Sequence, residues 1–332
     1  MPVGYPRRTA VNPARTGREG GESAMTTHEK SQPIPPCMLS AFPRRLGIRM
    51  TDTKSTDYKA GLVAGFIAQQ HAAKAQQGRP LLVSMQGPQG AGKSTLASKL
   101  VSVLAETYHL TCAVASLDDF YLPYPGLRSL AQSYPSNRLL QGRGPPGTHD
   151  IPLLSSVLTR LREGPAPSPS NPVDLPFFDK SQHGGYGDRA PTPIQLSQPI
   201  DVFLLEGWSL GYMPVDPTTA EQRWKQGRTA SQHPFQSILD LNTNLAQFDQ
   251  ATRDAFDCHI AVKPLSYDFV YTWRLQQEHH MKAENGGKGM TDDEVEAFVD
   301  RYMPVYEVFG ETRPDRPALK LVFGPEREVV EA

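Results

Sequence analysis

Ten residues, "QGPQGAGKST" (86–95), place three glycines, a lysine and two hydroxyl side chains directly after the apolar run Leu81, Leu82, Val83. Gly87, Gly92, Lys93 and Ser94 satisfy G-x-x-x-x-G-K-[ST], a loop whose backbone N–H groups curl around an anion with no Cβ in the way. In such a loop the lysine reaches the β and γ phosphates of a nucleotide and the serine hydroxyl takes a place on Mg²⁺. The residues read as this cradle are Gly87, Pro88, Gln89, Gly90, Ala91, Gly92, Lys93, Ser94 and Thr95. A bare flexible turn is the plainer alternative. The loop's position between a strand pattern and a helix pattern speaks against it, and the helix that starts near Lys93 adds its positive end to the phosphate site.

A phosphate loop says only nucleotide, so the acids matter next. Asp118 and Asp119 end an apolar run in "SLDDFY", and in open parallel sheets the carboxyl ends of strands line the ligand crevice. Two carboxylates there suit either of two tasks: accepting a proton from a substrate hydroxyl, or holding Mg²⁺ and its waters. Glu206 ends "VFLLE", where an acid that supports Mg²⁺ is expected. Two further segments bring cations: "NRLLQGRGPPGTHD" (137–150) carries Arg138, Arg143 and His149, and "FFDKSQHGGYGDR" (177–189) carries Asp179, Lys180 and Arg189. Arginine forks suit carboxylates and phosphates. Asp150 precedes a helix pattern and reads as its N-cap.

These residues need a scaffold, and the rest of the 332-residue chain supplies one. Apolar residues are 38% and charged residues 21%, with 27 glycines and 31 prolines, which fits a globular protein rich in connections. A formal net charge of -1 gives no electrostatic reason to expect nucleic acid or an anionic membrane as partner. No apolar run approaches the roughly 18 residues of a spanning helix. Cys37, Cys112 and Cys258 are widely spaced and odd in number, which suits a reducing compartment. Residues 1–50 lack apolar periodicity and are read as a disordered tail; their arginines raise a transit peptide, and Glu19, Glu22 and the prolines weaken it. Residues 51–332 are read as one domain.

Within that domain an Ala-rich helix pattern after residue 54 precedes the run "LLVSMQ", and a second helix pattern, "STLASKLVSVLAETY", leads to the run "TCAVASL". Strand, loop, helix and strand make a βαβ unit and predict a parallel sheet. Further buried strands are expected at 200–208, 258–265 and 318–324, about five in all. Helices are expected near 150–162, 235–254, 266–284 and 291–309. "REGPAPSPSNP" (162–172) and "MPVDPTTAEQRWKQGRTASQHP" (213–234) read as surface loops or insertions.

In that order, "GPQGAGKST", "SLDDFY", "NRLLQGRGPPGTHD", "FFDKSQHGGYGDR" and "FLLEGW" resemble the D-glycerate 3-kinase family of plants and its fungal relatives. That family lies within the phosphoribulokinase, uridine kinase and pantothenate kinase group, and the likeness runs from about residue 55 to the end, including 273–307. The resemblance implies an α/β P-loop NTPase fold: a three-layer sandwich with helices on both faces of the parallel sheet, plus a helical lid. It implies ATP and Mg²⁺ as cofactors, Asp118 as base with Asp119 as the alternative, Glu206 as the acid that places Mg²⁺, and Arg274 as a lid residue closing on ATP. For an acceptor such as glycerate, Arg138, Arg143, His149, Lys180 and Arg189 are the expected binding residues. The insertion from Pro217 to His233 departs from the family pattern. The expected partners are ATP and a small-molecule acceptor, without nucleic acid or membrane, and the expected location is the cytoplasm, with the nucleus and an organelle left open. Other acceptors, a nucleoside or pantothenate, stay open, as does a nucleotide switch, although the N-K-x-D guanine signature is absent. Oligomeric state is not legible.

Overall fold

The computed structural model describes residues 52–74, 77–284, 286–310 and 318–332. The tail expected over residues 1–50, with Cys37, lies outside the described residues. The Ala-rich pattern forms helix α1 (Thr56–Lys74), which buries the stretch from Lys59 to Ile67. "LLVSMQ" forms β1 (Leu81–Gln86), buried at every position, as a strand covered on both faces must be. After the glycine loop, α2 (Lys93–Tyr108) buries Leu96, Leu100 and Leu104 along one side and leads to β2 (Cys112–Ser116).

The middle of the chain holds α3 (Tyr124–Ser133) and α4 (Ile151–Glu163). Two small antiparallel ladders follow, β3 (Val173–Leu175) and, inside it, β4 (Phe178–Asp179) with β5 (Asp188–Arg189), closed by β6 (Ile194–Leu196) against β3. Next come β7 (Val202–Gly207), α5 (Pro217–Gln226), α6 (Phe235–Thr252) and β8 (Cys258–Pro264). The described chain ends with α7 (Phe269–Glu284), α8 (Asp292–Asp300), α9 (Met303–Phe309), β9 (Ala318–Phe323) and β10 (Val329–Glu331).

The main sheet runs β10-β9-β8-β1-β7-β2, parallel except for β10. Both of its faces are covered. One apolar cluster joins the sheet to α1 and α2 through Phe66, Ile67, Leu96 and Leu100, and the other joins it to α4, α6 and α9 through Leu154, Leu158, Leu241, Leu245 and Val305. The expected α/β sandwich with five parallel strands is therefore present.

Three expectations change. The segment 213–234, read as a surface loop or insertion, contains α5, because Asp216 caps the helix by accepting from Thr219 N at 3.0 Å and Pro217 is preset for its first turn. Its only buried residue is Ala220, so it carries no apolar stripe to read. The single helix expected over 291–309 divides into α8 and α9 at Arg301 and Tyr302, where Pro304 lacks the N–H that would continue the ladder. Neither α3 nor the edge strand β10 was anticipated. Cys112 and Cys258 are buried, and burial pushes the Cys112 thiol up to about 12. Among the described residues no helix is long and apolar enough to cross a membrane.

Candidate active site

The parallel register sets the strand ends side by side: Glu206 of β7 lies between Met85 of β1 and Ser116 of β2. Gly87 N donates to Gly207 O at 3.2 Å, so the glycine loop leaves the sheet beside that acid. Gly90 and Gly92 take φ of 72° and 84°, conformations that favour glycine. A Cβ on Gly90 would stand 2.6 Å from the Trp273 carbonyl carbon and 2.8 Å from Arg274 N, because the backbone of α7 presses directly on the loop. The loop is held from two other sides as well. Gln89 N donates to the Tyr306 hydroxyl at 3.2 Å, and Arg327 Nε donates to Gly90 O at 2.7 Å. Lys93 Nζ donates to Pro88 O at 3.0 Å, which keeps its ammonium within the loop. Ser94 Oγ donates to Glu206 Oε1 at 3.1 Å. A hydroxyl and a carboxylate oxygen in contact beside a phosphate loop are hard ligands of the kind Mg²⁺ takes together with phosphates and water.

At the end of β2 the Ser116 hydroxyl accepts from Asp118 N at 3.3 Å and turns the chain into a 3-10 segment, Leu117–Phe120. That turn aims the adjacent acids apart. Asp118 Oδ1 accepts from the Tyr121 hydroxyl at 3.1 Å, and Oδ2 meets the Lys180 ammonium at 2.5 Å. Asp119 instead turns to β4, accepting from Phe178 N at 3.2 Å. Their electrostatics diverge accordingly. Burial alone would raise the Asp118 carboxyl, but Lys180, with smaller help from His149 and Tyr121, holds it well below the usual carboxylate range. For Asp119 burial prevails over the Phe178 amide, with Asp118 adding repulsion, and its carboxyl is pushed up to about 6. Asp118 thus ionises at far lower pH than Asp119, which is tied into the hairpin.

The basic segments converge on the same place through a locked loop. Leu122 N donates to Thr148 O at 2.9 Å and Asp150 N to Phe120 O at 2.7 Å, which zips residues 148–150 along 120–122. His149 is buried there, stacked on Tyr121 at 4.6 Å, and its Nε2 has no hydrogen-bond partner among the described residues. Burial pushes its imidazole down to about 4, so it stays neutral at physiological pH. Arg143 donates to Gly185 O and, at 2.7 Å, to Tyr186 O, and lies over the Phe178 ring. Arg189 Nη2 donates to Tyr121 O at 2.8 Å and to Asp150 Oδ2 at 2.9 Å. Asp150 does cap α4, accepting from Leu153 N at 3.0 Å.

Two predicted residues stand differently. Arg138 is exposed on a 3-10 turn beyond this cluster, where its charge is felt by His233. Arg274 pairs with Glu278 at 2.7 Å and lies over the Phe298 ring, while its Nη1 is buried with no hydrogen-bond partner among the described residues. Sequence reasoning missed Arg301 and Tyr302. The guanidinium of Arg301 packs on Gly142 and the hydroxyl of Tyr302 on Gly144, where a Cβ would stand 2.9 Å and 2.4 Å away. Those two glycines are the signal that something approaches the loop closely there.

A glycine loop before a helix, in a parallel sheet whose neighbouring strands end in Glu206 and Asp118, defines a P-loop kinase. Known proteins agree. The chain is 37% identical to a solved D-glycerate 3-kinase from Cryptococcus neoformans, with a TM-score of 0.76 over 82% of this chain and 98% of that one. It is 39% identical over 239 residues to a probable ATP-dependent kinase of Saccharomyces cerevisiae, covering 69% of this chain and 78% of the relative. To the chloroplastic D-glycerate 3-kinase of Arabidopsis thaliana it is 33% identical over 232 residues, 69% of this chain and 48% of that protein. No protein-family model matches. The chain belongs to the family of D-glycerate 3-kinase and its fungal kinase relatives.

Proposed function

We propose that the protein transfers the γ-phosphoryl group of ATP to a hydroxyl of a small acidic alcohol, D-glycerate foremost. The observation that carries this reading is the ionised Asp118, paired with a cation, at the end of β2 beside the strand whose Glu206 meets Ser94. Lys93 and the loop amides hold the phosphates, and Arg274, whose backbone abuts Gly90, would reach them from α7 only on leaving Glu278. Ser94 and Glu206 would hold Mg²⁺, which when bound neutralises phosphate charge. Asp118 takes the hydroxyl proton as the new O–P bond forms and the bond from the γ phosphorus to the β–γ bridging oxygen breaks, releasing ADP. Lys180 and His149 face that proton acceptor and provide positive charge or an N–H for the acceptor's carboxylate, with Arg143 holding the hairpin loop and Arg189 bracing Tyr121.

A nucleoside acceptor would need an aromatic platform for its base. Phe178 is buried beneath Arg143 and edge-on to Tyr121, whereas Tyr186 is exposed and edge-on to Tyr124, so the choice of acceptor falls to assay. The test is ATP consumption by the full-length protein with D-glycerate, pantothenate, uridine and ribulose 5-phosphate in turn. Consumption with D-glycerate alone is expected. Consumption with uridine or pantothenate instead would move the acceptor assignment, and none with any acceptor would end the kinase reading.

A further inference from the structure

We propose that Lys180 selects carboxylate-bearing acceptors by exchanging partners: the acceptor's carboxylate takes the Lys180 ammonium over from Asp118, and Asp118 is thereby released to receive the hydroxyl proton. The inference rests on the phosphotransfer reading above and names the residue that gives it an acidic substrate.

The geometry favours Lys180 over its neighbours. Arg143 is committed to two backbone carbonyls of the hairpin loop, and Arg189 to the Tyr121 carbonyl and Asp150. Lys180 alone among these cations contacts Asp118, and both side chains of the pair reach solvent, 38% exposed for the lysine and 30% for the acid. A pair that reaches solvent can be opened by a competing anion without a charge being stranded in the interior. Lys180 follows β4 directly, so its backbone is fixed by the hairpin while four rotatable bonds let the ammonium swing.

Charge balance then couples recognition to chemistry. Asp118 faces Lys180, Tyr121 and His149 at close range, with Asp119 beside it and Tyr302 and Tyr306 within electrostatic reach. While Lys180 sits on Asp118, the carboxylate is a weak base. An acceptor carboxylate brings a second negative charge into the same pocket and draws on the same ammonium, so a proton on Asp118 becomes more favourable. A neutral alcohol brings no such charge and leaves the pair closed.

The test compares the wild-type protein with Lys180→Met and Lys180→Arg, measuring kcat and KM for D-glycerate and for glycerol across pH. For Lys180→Met the preference for D-glycerate over glycerol in kcat/KM should fall by about 30- to 100-fold, the scale of one charge-assisted hydrogen bond. The acid limb of its activity should also move to higher pH, because burial of Asp118 is no longer opposed. Lys180→Arg should restore most of the preference. A preference unchanged within about 3-fold, or an acid limb that stays in place, overturns the proposal while leaving D-glycerate as substrate. A wild type that prefers a neutral acceptor overturns it while leaving the kinase reading intact. A wild type that transfers phosphoryl to nothing ends both.

Discussion

The two neighbouring acids show how one turn of backbone separates chemical roles. Asp118 is ionised by its cation and Asp119 is pushed towards its neutral form by burial, although the residues are adjacent in the chain. Replacing Asp118 by Asn keeps size and removes the proposed proton acceptor, so turnover should fall by at least about 100-fold. Nucleotide affinity, followed by titration calorimetry, should stay within a few-fold of wild type. Retained turnover would move the base elsewhere. His149 and Asp119 also make opposed predictions for stability against pH. The unfolded chain binds a proton on His149 near 6.5 and the folded chain refuses it until about 4, so this group removes stability as pH falls through that window. Asp119 holds its proton up to about 6 in the folded chain and only to 3.8 when unfolded, so acidification through that range favours the fold. His149→Gln should therefore flatten the loss of Tm between pH 6.5 and 4.5, and Asp119→Asn should steepen it. Equal slopes in all three proteins would contradict these assignments.

At the scale of elements, the phosphate loop is shaped by what packs on it. Gly90 combines φ of 72° with a Cβ position 2.6 Å from the Trp273 carbonyl carbon, so Gly90→Ala must displace either the loop or α7. A loss of more than about 2 kcal/mol of stability, or a comparable loss of nucleotide affinity, is expected from thermal unfolding and ATP titration. An alanine variant with wild-type values in both would show that the contact with α7 is not tight. The strands of this scaffold were legible because each is a short apolar run bounded by polar or glycine-rich residues, as "VFLLEGW" shows. The elements that escaped reading lack such a signal. α5 buries Ala220 alone, β10 has only Val329 buried, and the break between α8 and α9 depends on where Pro304 falls within an otherwise continuous apolar pattern. For the site, the glycine loop, Asp118 and Glu206 could be read because strand-to-loop spacing fixes their place. Arg301 and Tyr302 could not, since their contact with Gly142 and Gly144 joins residues more than 150 positions apart by tertiary packing. The sequence pointed equally to Arg138, Arg143, Lys180 and Arg189; only folding separates the exposed Arg138 from the three that meet around Tyr121.

Across the whole molecule, the main sheet brings three tasks to one edge. β1 delivers the phosphate loop, β7 the acid that meets Ser94, and β2 the acid paired with Lys180, while the helices after β8 close on the loop from the other side. The central claim is that these strand ends serve one transfer, from a nucleotide on the loop to a hydroxyl beside Asp118. Incubating the full-length protein with ATP labelled in the γ phosphate, Mg²⁺ and D-glycerate, and following the label, tests it most directly. The account predicts that label moves to phosphoglycerate with wild-type protein and fails to move with Asp118→Asn. Label that stays in ATP, or appears only as free phosphate, would contradict it.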